Sequence, residues 1–181
     1  MKAATITQPL ASAAPAADDQ ILQPLNPQTL TVDIVLPVFN EAHMLEQSVT
    51  KLHKYLASNL PYKWRIVIAD NGSTDGTAAI ARRLAERYPD IRLLQLPEKG
   101  RGRALKQAWM SSRADILAYM DIDLSTNLDS FKLMIAPLIT GDAGSATGSR
   151  LMKQSRTTRG FKREFISRCY NRIIRATMKT G

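Results

Sequence analysis

Residues 116–124 have the sequence Ile-Leu-Ala-Tyr-Met-Asp-Ile-Asp-Leu, and this stretch decides the fold. The apolar run Ile116–Met120 predicts a buried strand, with Asp121 and Asp123 at its carboxyl end. Because residues two apart face the same way in an extended chain, both carboxylates are expected to point into one site. Paired carboxylates suit Mg²⁺ or Mn²⁺, which usually bind together with the phosphates of a substrate. Since two acids at a strand end are often only part of a solvated loop, the metal prediction depends on the surrounding segments.

Three further apolar segments upstream also end in polar loops. They are Val32–Leu36 before Pro37–Glu41, Trp64–Ala69 before Asp70–Thr77, and Ile91–Leu96 before Lys99–Ala104. Each loop is followed by apolar residues at three- and four-residue steps, which predict an amphipathic helix. Strands that alternate with helices indicate a parallel sheet with right-handed crossovers. The four polar loops are therefore expected to gather at one edge of one α/β sheet.

These loops resemble, in the same order along the chain, the motifs of family 2 glycosyltransferases of the GT-A fold. The matching segments are Pro37–Glu41, Asp70–Thr77, Lys99–Gly102 and Asp121–Asp123. The resemblance is to the dolichyl- and polyprenyl-phosphate mannosyl- and glucosyltransferases, and it covers about Val32 to Ser167. It implies a Rossmann-like, mostly parallel sheet flanked by helices, with the nucleotide-sugar site at the carboxyl ends of the strands.

The resemblance implies a donor site for a UDP- or GDP-linked hexose. The implied nucleotide-sugar residues are Pro37, Phe39, Asn40, Glu41, Asp70, Asn71, Ser73, Lys99, Gly100 and Asp121. Asp123 is expected to be the direct metal ligand, with Asp121 reaching either the metal or the ribose. The family usually carries two acids where this chain has Asp70-Asn71, so the nucleotide base stays open. Structural roles also stay open, because Asn40 or Ser73 could cap a helix and Asp75 suits a first helical turn.

The resemblance also implies phosphate-binding residues later in the chain. Ser149-Arg150 matches a Ser-Arg pair whose arginine faces the phosphates, so Arg150 joins Asp121 and Asp123 as a predicted catalytic residue. Arg163 and Ser167 are four residues apart on a predicted helix, hence on one face. They resemble the pair that binds the acceptor phosphate, a role that suits the two parallel hydrogen bonds of a guanidinium.

No obvious catalytic base follows Asp123, and this bears on the acceptor. A phosphate monoester is already anionic near neutral pH and can attack without deprotonation, whereas a hydroxyl needs a base. A polyprenyl phosphate lipid therefore fits as acceptor. Members of the resembling family continue with further loops and helices, so the base could instead lie in a missing segment. On this interpretation residues 31–181 are a GT-A domain that is incomplete at its C-terminus.

The positive charge of the chain is concentrated near its end. Ten of the 25 basic residues lie between Arg150 and Gly181, opposed by Glu164 alone, and they account for the whole net charge of +9. Apolar residues from Phe161 to Met178 recur at helical spacing, which predicts a basic amphipathic helix at about 160–178. Such a helix is suited either to bind an anionic membrane surface or to pack on the sheet with its basic face in solvent. Nucleic acid is not expected as a partner, because no nucleic-acid-binding motif is present.

Residues 1–30 are rich in Ala, Pro, Gln and Thr without an apolar period, which predicts a disordered tail. The sequence contains no run of 18 apolar residues, so no transmembrane helix is expected in this chain, although a longer form could carry one. The single Cys169 fits a reducing compartment. We therefore expect a peripheral protein on the cytoplasmic side of a membrane.

The function predicted from these observations is metal-dependent, inverting transfer of a hexose from UDP-glucose or GDP-mannose to a polyprenyl or dolichyl phosphate. Two alternatives stay open: a family 2 enzyme that extends a cell-surface glycan, and a nucleotide-sugar-binding remnant without turnover. A nucleotidylyltransferase is disfavoured, since Pro37–Glu41 is not a glycine-rich triphosphate loop.

Overall fold

A computed structural model describes residues 23–125 and 127–148. The elements are β1 (Thr31–Val38), α1 (Leu45–Asn59), β2 (Lys63–Asn71), α2 (Thr77–Arg87), β3 (Ile91–Leu96), α3 (Arg101–Met110), β4 (Ile116–Tyr119) and α4 (Asp129–Ile139). The predicted alternation of strands and helices is confirmed. The predicted helix at about 160–178 lies outside the described residues, as do Arg150, Arg163 and Ser167.

The described strands form one parallel sheet in the order β3-β2-β1-β4. β1 is central and pairs with β2 along its whole length, from Thr31 opposite Lys63 to Val38 opposite Asp70. Because all four strands run in the same direction, their carboxyl ends lie at one edge. The predicted parallel α/β sheet is confirmed, and its polar loops gather at that edge.

Helices pack on both faces of the sheet, and successive residues of a strand contact the helices on opposite faces. The even-numbered residues of β1, such as Ile34 and Leu36, join the larger core with α1, α2 and α4. Val35 belongs to a smaller core on the opposite face, where Ala104 and Ala108 of α3 pack. β1 is therefore buried on both faces, and its residues Val32–Leu36, which are apolar except at Asp33, fit such a strand.

The prediction that the run leading into Asp121 is a fully buried strand is wrong for one face of β4. Ile116 and Ala118 are buried, but Leu117 and Tyr119 are 40% and 46% exposed. β4 is an edge strand of the described sheet, and the small residues of α3 pack against β1 and β2. The face that β4 shares with α3 is thus only partly covered.

The folded part begins before the predicted boundary at residue 31. The backbone N–H of Leu25 donates to the carbonyl of Ile139 (2.9 Å), and Leu30 is buried in the larger core. The turn between them is closed by a hydrogen bond from the Leu30 N–H to the Asn26 carbonyl (2.9 Å). These contacts join the segment before β1 to the end of α4, so residues 25–30 belong to the domain.

An ion pair with a buried carboxylate lies at the amino-terminal end of the sheet, away from the polar loops. Arg65 of β2 donates from Nε to Oδ1 of Asp33 (3.1 Å) and from Nη2 to Oδ2 (2.6 Å), and Ser112 Oγ also donates to Oδ2 (2.6 Å). Asp33 is almost fully buried and stands opposite Arg65 in the β1–β2 register. The pair therefore stabilises this register and has a structural role.

We expect Asp33→Ala to destabilise the protein by about 1.5–3 kcal/mol, because it removes hydrogen bonds to a buried charge and leaves Arg65 unpaired. Urea unfolding followed by circular dichroism measures the loss. Glu98→Ala is the control, since it breaks an exposed ion pair with Arg103 that typically contributes under about 1 kcal/mol. Equal losses in the two variants would contradict the structural role of Asp33.

Candidate functional site

A cleft of about 310 Å³ opens at the carboxyl edge of the sheet. Its walls come from the carboxyl ends of β1 and β2, the loops after β1 and β4, and the start of α3. The lining residues are Pro37, Val38, Phe39, Glu41, Met44, Asn71, Arg101, Asp121, Ile122 and Asp123. Six of them are predicted site residues: Pro37, Phe39, Glu41, Asn71, Asp121 and Asp123. The structure thus brings together residues that are far apart in sequence.

The loops after β1 and β2 are joined by hydrogen bonds between their backbones and side chains. The Asn40 N–H donates to Ser73 Oγ (3.0 Å), and Asn40 Oδ1 accepts from the Thr74 N–H (2.8 Å). The Glu41 N–H donates to Thr77 Oγ1 (2.8 Å). Asn40 has a φ of +55°, a conformation that asparagine tolerates better than most residues. Asn40 and Ser73 therefore hold one wall of the cleft in place without lining it.

The alternative interpretation of Asn40 and Ser73 as helix caps is wrong. α1 begins at Leu45 with Met44 at the cap position, and α2 begins at Thr77 with Gly76 there, and neither helix has a side-chain cap hydrogen bond. The polar side chains bond across the two loops instead, because the loops run side by side at the sheet edge.

Asp75 has a structural role, but the expectation that it lies in a first helical turn is wrong, because α2 begins at Thr77 and Asp75 precedes it. Its carboxylate accepts hydrogen bonds from the N–H groups of Thr77 (2.9 Å) and Ala42 (3.2 Å). The pKa of Asp75 is lowered, chiefly by the hydrogen bond from the Thr77 side chain and to a smaller extent by these backbone N–H donors. The charged form therefore links the start of α2 to the loop after β1.

Asp70 and Asn71 carry buried polar atoms without a partner. Asp70 is fully buried and accepts one hydrogen bond at Oδ1, from the Ser73 N–H (3.2 Å). Asp70 Oδ2 and Asn71 Oδ1 have no hydrogen-bond partner among the described residues. An unpaired buried acceptor is costly. Asn71 lines the cleft, so its Oδ1 is suited to accept a hydrogen bond from a ligand there, whereas Asp70 lies behind the lining residues. The next residue, Gly72, has a φ of +73°, and a Cβ there would lie 3.1 Å from the Pro97 carbonyl oxygen.

The loop after β3 places cations beside the cleft. Lys99 Nζ lies 4.1 Å from the centroid of the Phe39 ring, a cation–π distance, and Gly100 precedes the first residue of α3. Arg101 lines the cleft and pairs with the carboxylate of Asp121. The predicted site residues included Lys99 and Gly100 but missed Arg101. The signal was present in the basic motif Lys99–Gly102, which does not distinguish one cation from another.

The paired acids share the cleft for a reason other than the predicted one. β4 ends at Tyr119, and the chain turns over Asp121–Leu124, closed by a hydrogen bond from the Leu124 N–H to the Asp121 carbonyl (3.1 Å). The acids are therefore not on one side of an extended strand. Buried Ile122 anchors the turn, and the exposed carboxylates of Asp121 and Asp123 flank it at the cleft.

The acid pair fits a hard divalent cation that is shared with a ligand. Residues 23–125 and 127–148 contain no group of three or more metal-ligating side chains, so within these residues the cleft offers the two carboxylates of Asp121 and Asp123. Mg²⁺ commonly binds through one or two carboxylates together with water and substrate phosphates. The chemistry of the two acids therefore suits an ion that arrives with a phosphate-bearing ligand.

The helices of the described segments are too short or too polar to cross a bilayer. This finding concerns residues 23–125 and 127–148.

The chain is similar to known proteins over most of its length. Residues 33–181 match Glycosyl transferase family 2. Glycosyltransferase AglD of Haloferax volcanii is 35% identical over 151 residues, covering 82% of this chain and 24% of the relative. Dolichyl-phosphate beta-glucosyltransferase ALG5C of Trichomonas vaginalis is 31% identical over 112 residues, covering 59% of this chain and 33% of the relative. The chain thus spans about a third or less of the length of these curated relatives.

A solved structure supports the fold. Mannosyl-3-phosphoglycerate synthase from Rubrobacter xylanophilus aligns with a TM-score of 0.50 at 24% identity, over 61% of this chain and 36% of that one. At this level of identity the likeness bears on the architecture alone.

We expect Asp123→Ala to abolish the Mn²⁺-dependent part of UDP or GDP binding, and Asp121→Ala to weaken it equally or less. Even an outer-shell partner of a metal typically contributes about 10–100-fold in affinity, so a direct ligand should contribute at least as much. Isothermal titration calorimetry with and without Mn²⁺ measures the effect. Asp142→Ala, which removes an exposed carboxylate after α4, is the control. Unchanged affinity in Asp123→Ala would refute the metal assignment.

Proposed function

The chain belongs to glycosyltransferase family 2, and we propose that it transfers a hexose from a nucleotide sugar to a polyprenyl or dolichyl phosphate. The observation that carries this proposal is the cleft in which the acid pair, Arg101 and the unpartnered acceptor of Asn71 meet. It offers separate groups for the nucleoside and for the diphosphate of one donor. The name of the Trichomonas relative, a dolichyl-phosphate glucosyltransferase, supports the acceptor class.

The donor nucleoside would bind beside β2. Asn71 Oδ1, in the cleft lining with Asp70 behind it, is a buried acceptor without a partner among the described residues, and nucleobases and ribose present N–H and O–H donors. Pro37, Phe39 and Glu41 would form the opposing wall. Asn40 and Ser73 would act indirectly, since their hydrogen bond keeps the two loops together.

The diphosphate would bind on the other side of the cleft. Asp121 and Asp123 would hold Mg²⁺ or Mn²⁺, which when bound neutralises charge on the departing diphosphate. Arg101, which pairs with Asp121, adds a cationic group at the same place, and Lys99, over the Phe39 ring, adds a second cation beside the cleft. Fixed positive charge at the position where negative charge develops stabilises the transition state.

The proposed reaction is a single inverting displacement. An oxygen of the acceptor phosphate forms a bond to the anomeric carbon, while the bond from that carbon to the diphosphate oxygen breaks. The electron pair leaves with the nucleoside diphosphate. The acceptor phosphate is anionic near neutral pH, so the step needs no general base.

The acceptor would be held by residues beyond the described segments. Arg150 would face the phosphates, and Arg163 with Ser167 would bind the acceptor phosphate on one face of the predicted helix. The basic face of residues 160–178, which contain five basic residues and one acid, would contact an anionic membrane surface on its cytoplasmic side. Each basic residue near such a surface contributes about 1 kcal/mol.

We expect the protein to transfer label from either UDP-glucose or GDP-mannose to a short-chain polyprenyl phosphate in anionic vesicles, in the presence of Mn²⁺. Lipid extraction after incubation measures the product. Asp123→Ala should abolish it, because the metal ligand is lost, whereas Glu98→Ala should not, because Glu98 lies outside the cleft lining. Transfer to hydroxyl acceptors alone would favour the glycan-extending alternative. Nucleotide binding without transfer would favour the non-catalytic one.

We also expect Arg163→Ala to reduce transfer sharply while leaving donor nucleotide affinity unchanged. A charge-assisted contact to a phosphate contributes about 1.5–3 kcal/mol. Arg163→Lys should recover part of the activity, since an ammonium keeps the charge but loses the paired hydrogen bonds. Transfer rates at varied acceptor concentration, beside a nucleotide titration, separate the two effects.

Arg168→Ala is the matched control, because it removes the same charge one position after Ser167, on another side of the predicted helix. Loss of nucleotide affinity in Arg163→Ala, with the apparent acceptor affinity unchanged, would refute the acceptor role.

A further inference from the structure

Arg101 occupies the place where a donor diphosphate and its cation would meet. It is the first residue of α3, lines the cleft and pairs with the carboxylate of Asp121. Its guanidinium carbon also lies 5.7 Å from the centroid of the Tyr119 ring. The acid that would hold a divalent ion is thus already neutralised by a side chain of the protein.

The other cations of this loop have different partners. Lys99 lies over Phe39, and Arg103 pairs with Glu98. Neither Arg103 nor Glu98 lines the cleft. Arg101 is therefore the cation of the loop whose partner is one of the paired acids.

We propose that Arg101 is a displaceable counter-ion of the acid pair, so that a divalent cation and Arg101 compete for Asp121. The inference rests on the proposed function. When metal takes the carboxylate, the freed guanidinium binds the diphosphate that arrives with it. Metal and nucleotide diphosphate therefore bind cooperatively, because each removes part of the cost that the other would meet alone.

The strength of the ion pair suits such an exchange. The side chains of Arg101 and Asp121 are 55% and 53% exposed, and exposed ion pairs are weak and easily broken. A guanidinium that stays beside a bound divalent ion repels it, whereas a diphosphate oxygen pair offers the guanidinium two parallel hydrogen bonds. The diphosphate is thus the better partner for Arg101 once metal is present.

The position of Arg101 at the start of α3 also favours binding of a diphosphate. A cation in the first turn of a helix is unfavourable with respect to the helix dipole, whereas an anion there is favoured. Arg101 is held in this position by Asp121, an anion from another element. A diphosphate would replace that anion at the start of α3 and would compensate the same charge.

The test is a Mn²⁺ titration of the protein, followed by the electron paramagnetic resonance signal of free Mn²⁺, with and without UDP or GDP. In the wild type we expect weak Mn²⁺ binding alone and tighter binding with nucleotide. Arg101→Gln should bind Mn²⁺ alone about two- to fivefold more tightly, the range that corresponds to loss of an exposed ion pair. The nucleotide should then enhance Mn²⁺ binding less than in the wild type, and Mn²⁺ should enhance nucleotide binding less by the same factor.

Two further variants control the measurement. Arg103→Gln removes the same charge from the same helix but leaves the Arg101–Asp121 pair in place, so it should behave as the wild type. Arg101→Lys keeps the competing charge, so Mn²⁺ binding without nucleotide should stay close to that of the wild type.

The possible outcomes separate this inference from the proposed function. Unchanged or weaker Mn²⁺ binding by Arg101→Gln, while the wild type binds Mn²⁺ with nucleotide, would overturn the counter-ion role alone. Equal tightening in Arg101→Gln and Arg103→Gln would also overturn it, since a general charge effect would then suffice. A wild type that binds no Mn²⁺, with or without nucleotide, would overturn both the metal site of the proposed function and the inference.

Discussion

The parallel pairing of β1 with its two neighbours is the constraint on which the rest of the structure depends. β1 lies between β2 and β4, and its segment Val32–Leu36 is buried. A strand in this position needs helices on both faces, and parallel neighbours need crossover connections. Each strand therefore ends at the same edge of the sheet and delivers a polar loop there. The direction of the strands therefore determines where the cleft lies, and the side chains of the loops determine its chemistry.

Sequence periodicity was sufficient to predict the strands and helices, because a segment that is buried on one or two faces has a regular pattern of apolar residues. The apolar steps of α1 (Leu45, Val49, Leu52, Leu56) are the residues that enter the core, and Val32–Leu36 of β1, apolar except at Asp33, matches a strand covered on both sides. The order of the strands and polar loops along the chain then predicted that Phe39, Asn71 and the acid pair lie in one cleft, without knowledge of their contacts. The position of the cleft and most of its lining were thus predictable.

What the sequence did not reveal depends on packing between elements. Leu117 and Tyr119 look like core residues until β4 is placed at an edge of the described sheet. Asn40 has the residue type of a helix cap, but its side chain has a partner 34 residues away in the neighbouring loop. Likewise, the basic motif after β3 gave no sign that Arg101 rather than Lys99 pairs with Asp121. In each case the deciding partner is distant in sequence and is chosen by the fold.

The electrostatics of the cleft explain how a site can be rigid and yet receive a highly charged ligand. Its walls are held by neutral hydrogen bonds, such as those of Asn40 with Ser73 and Thr74, which no charged ligand needs to break. Its charges are held instead by an exposed ion pair, between Arg101 and Asp121, and by the ring of Phe39 beneath Lys99. These charged contacts are individually weak, and the ion pair lies where a diphosphate and its cation would bind. On binding, the cation would become the partner of Asp121 and the anion the partner of Arg101. Because the arriving charges are of opposite sign, the total charge in the cleft changes little. The net charge of the chain, by contrast, resides in residues 150–181, so the preceding residues, which form the cleft, have no net charge in sum.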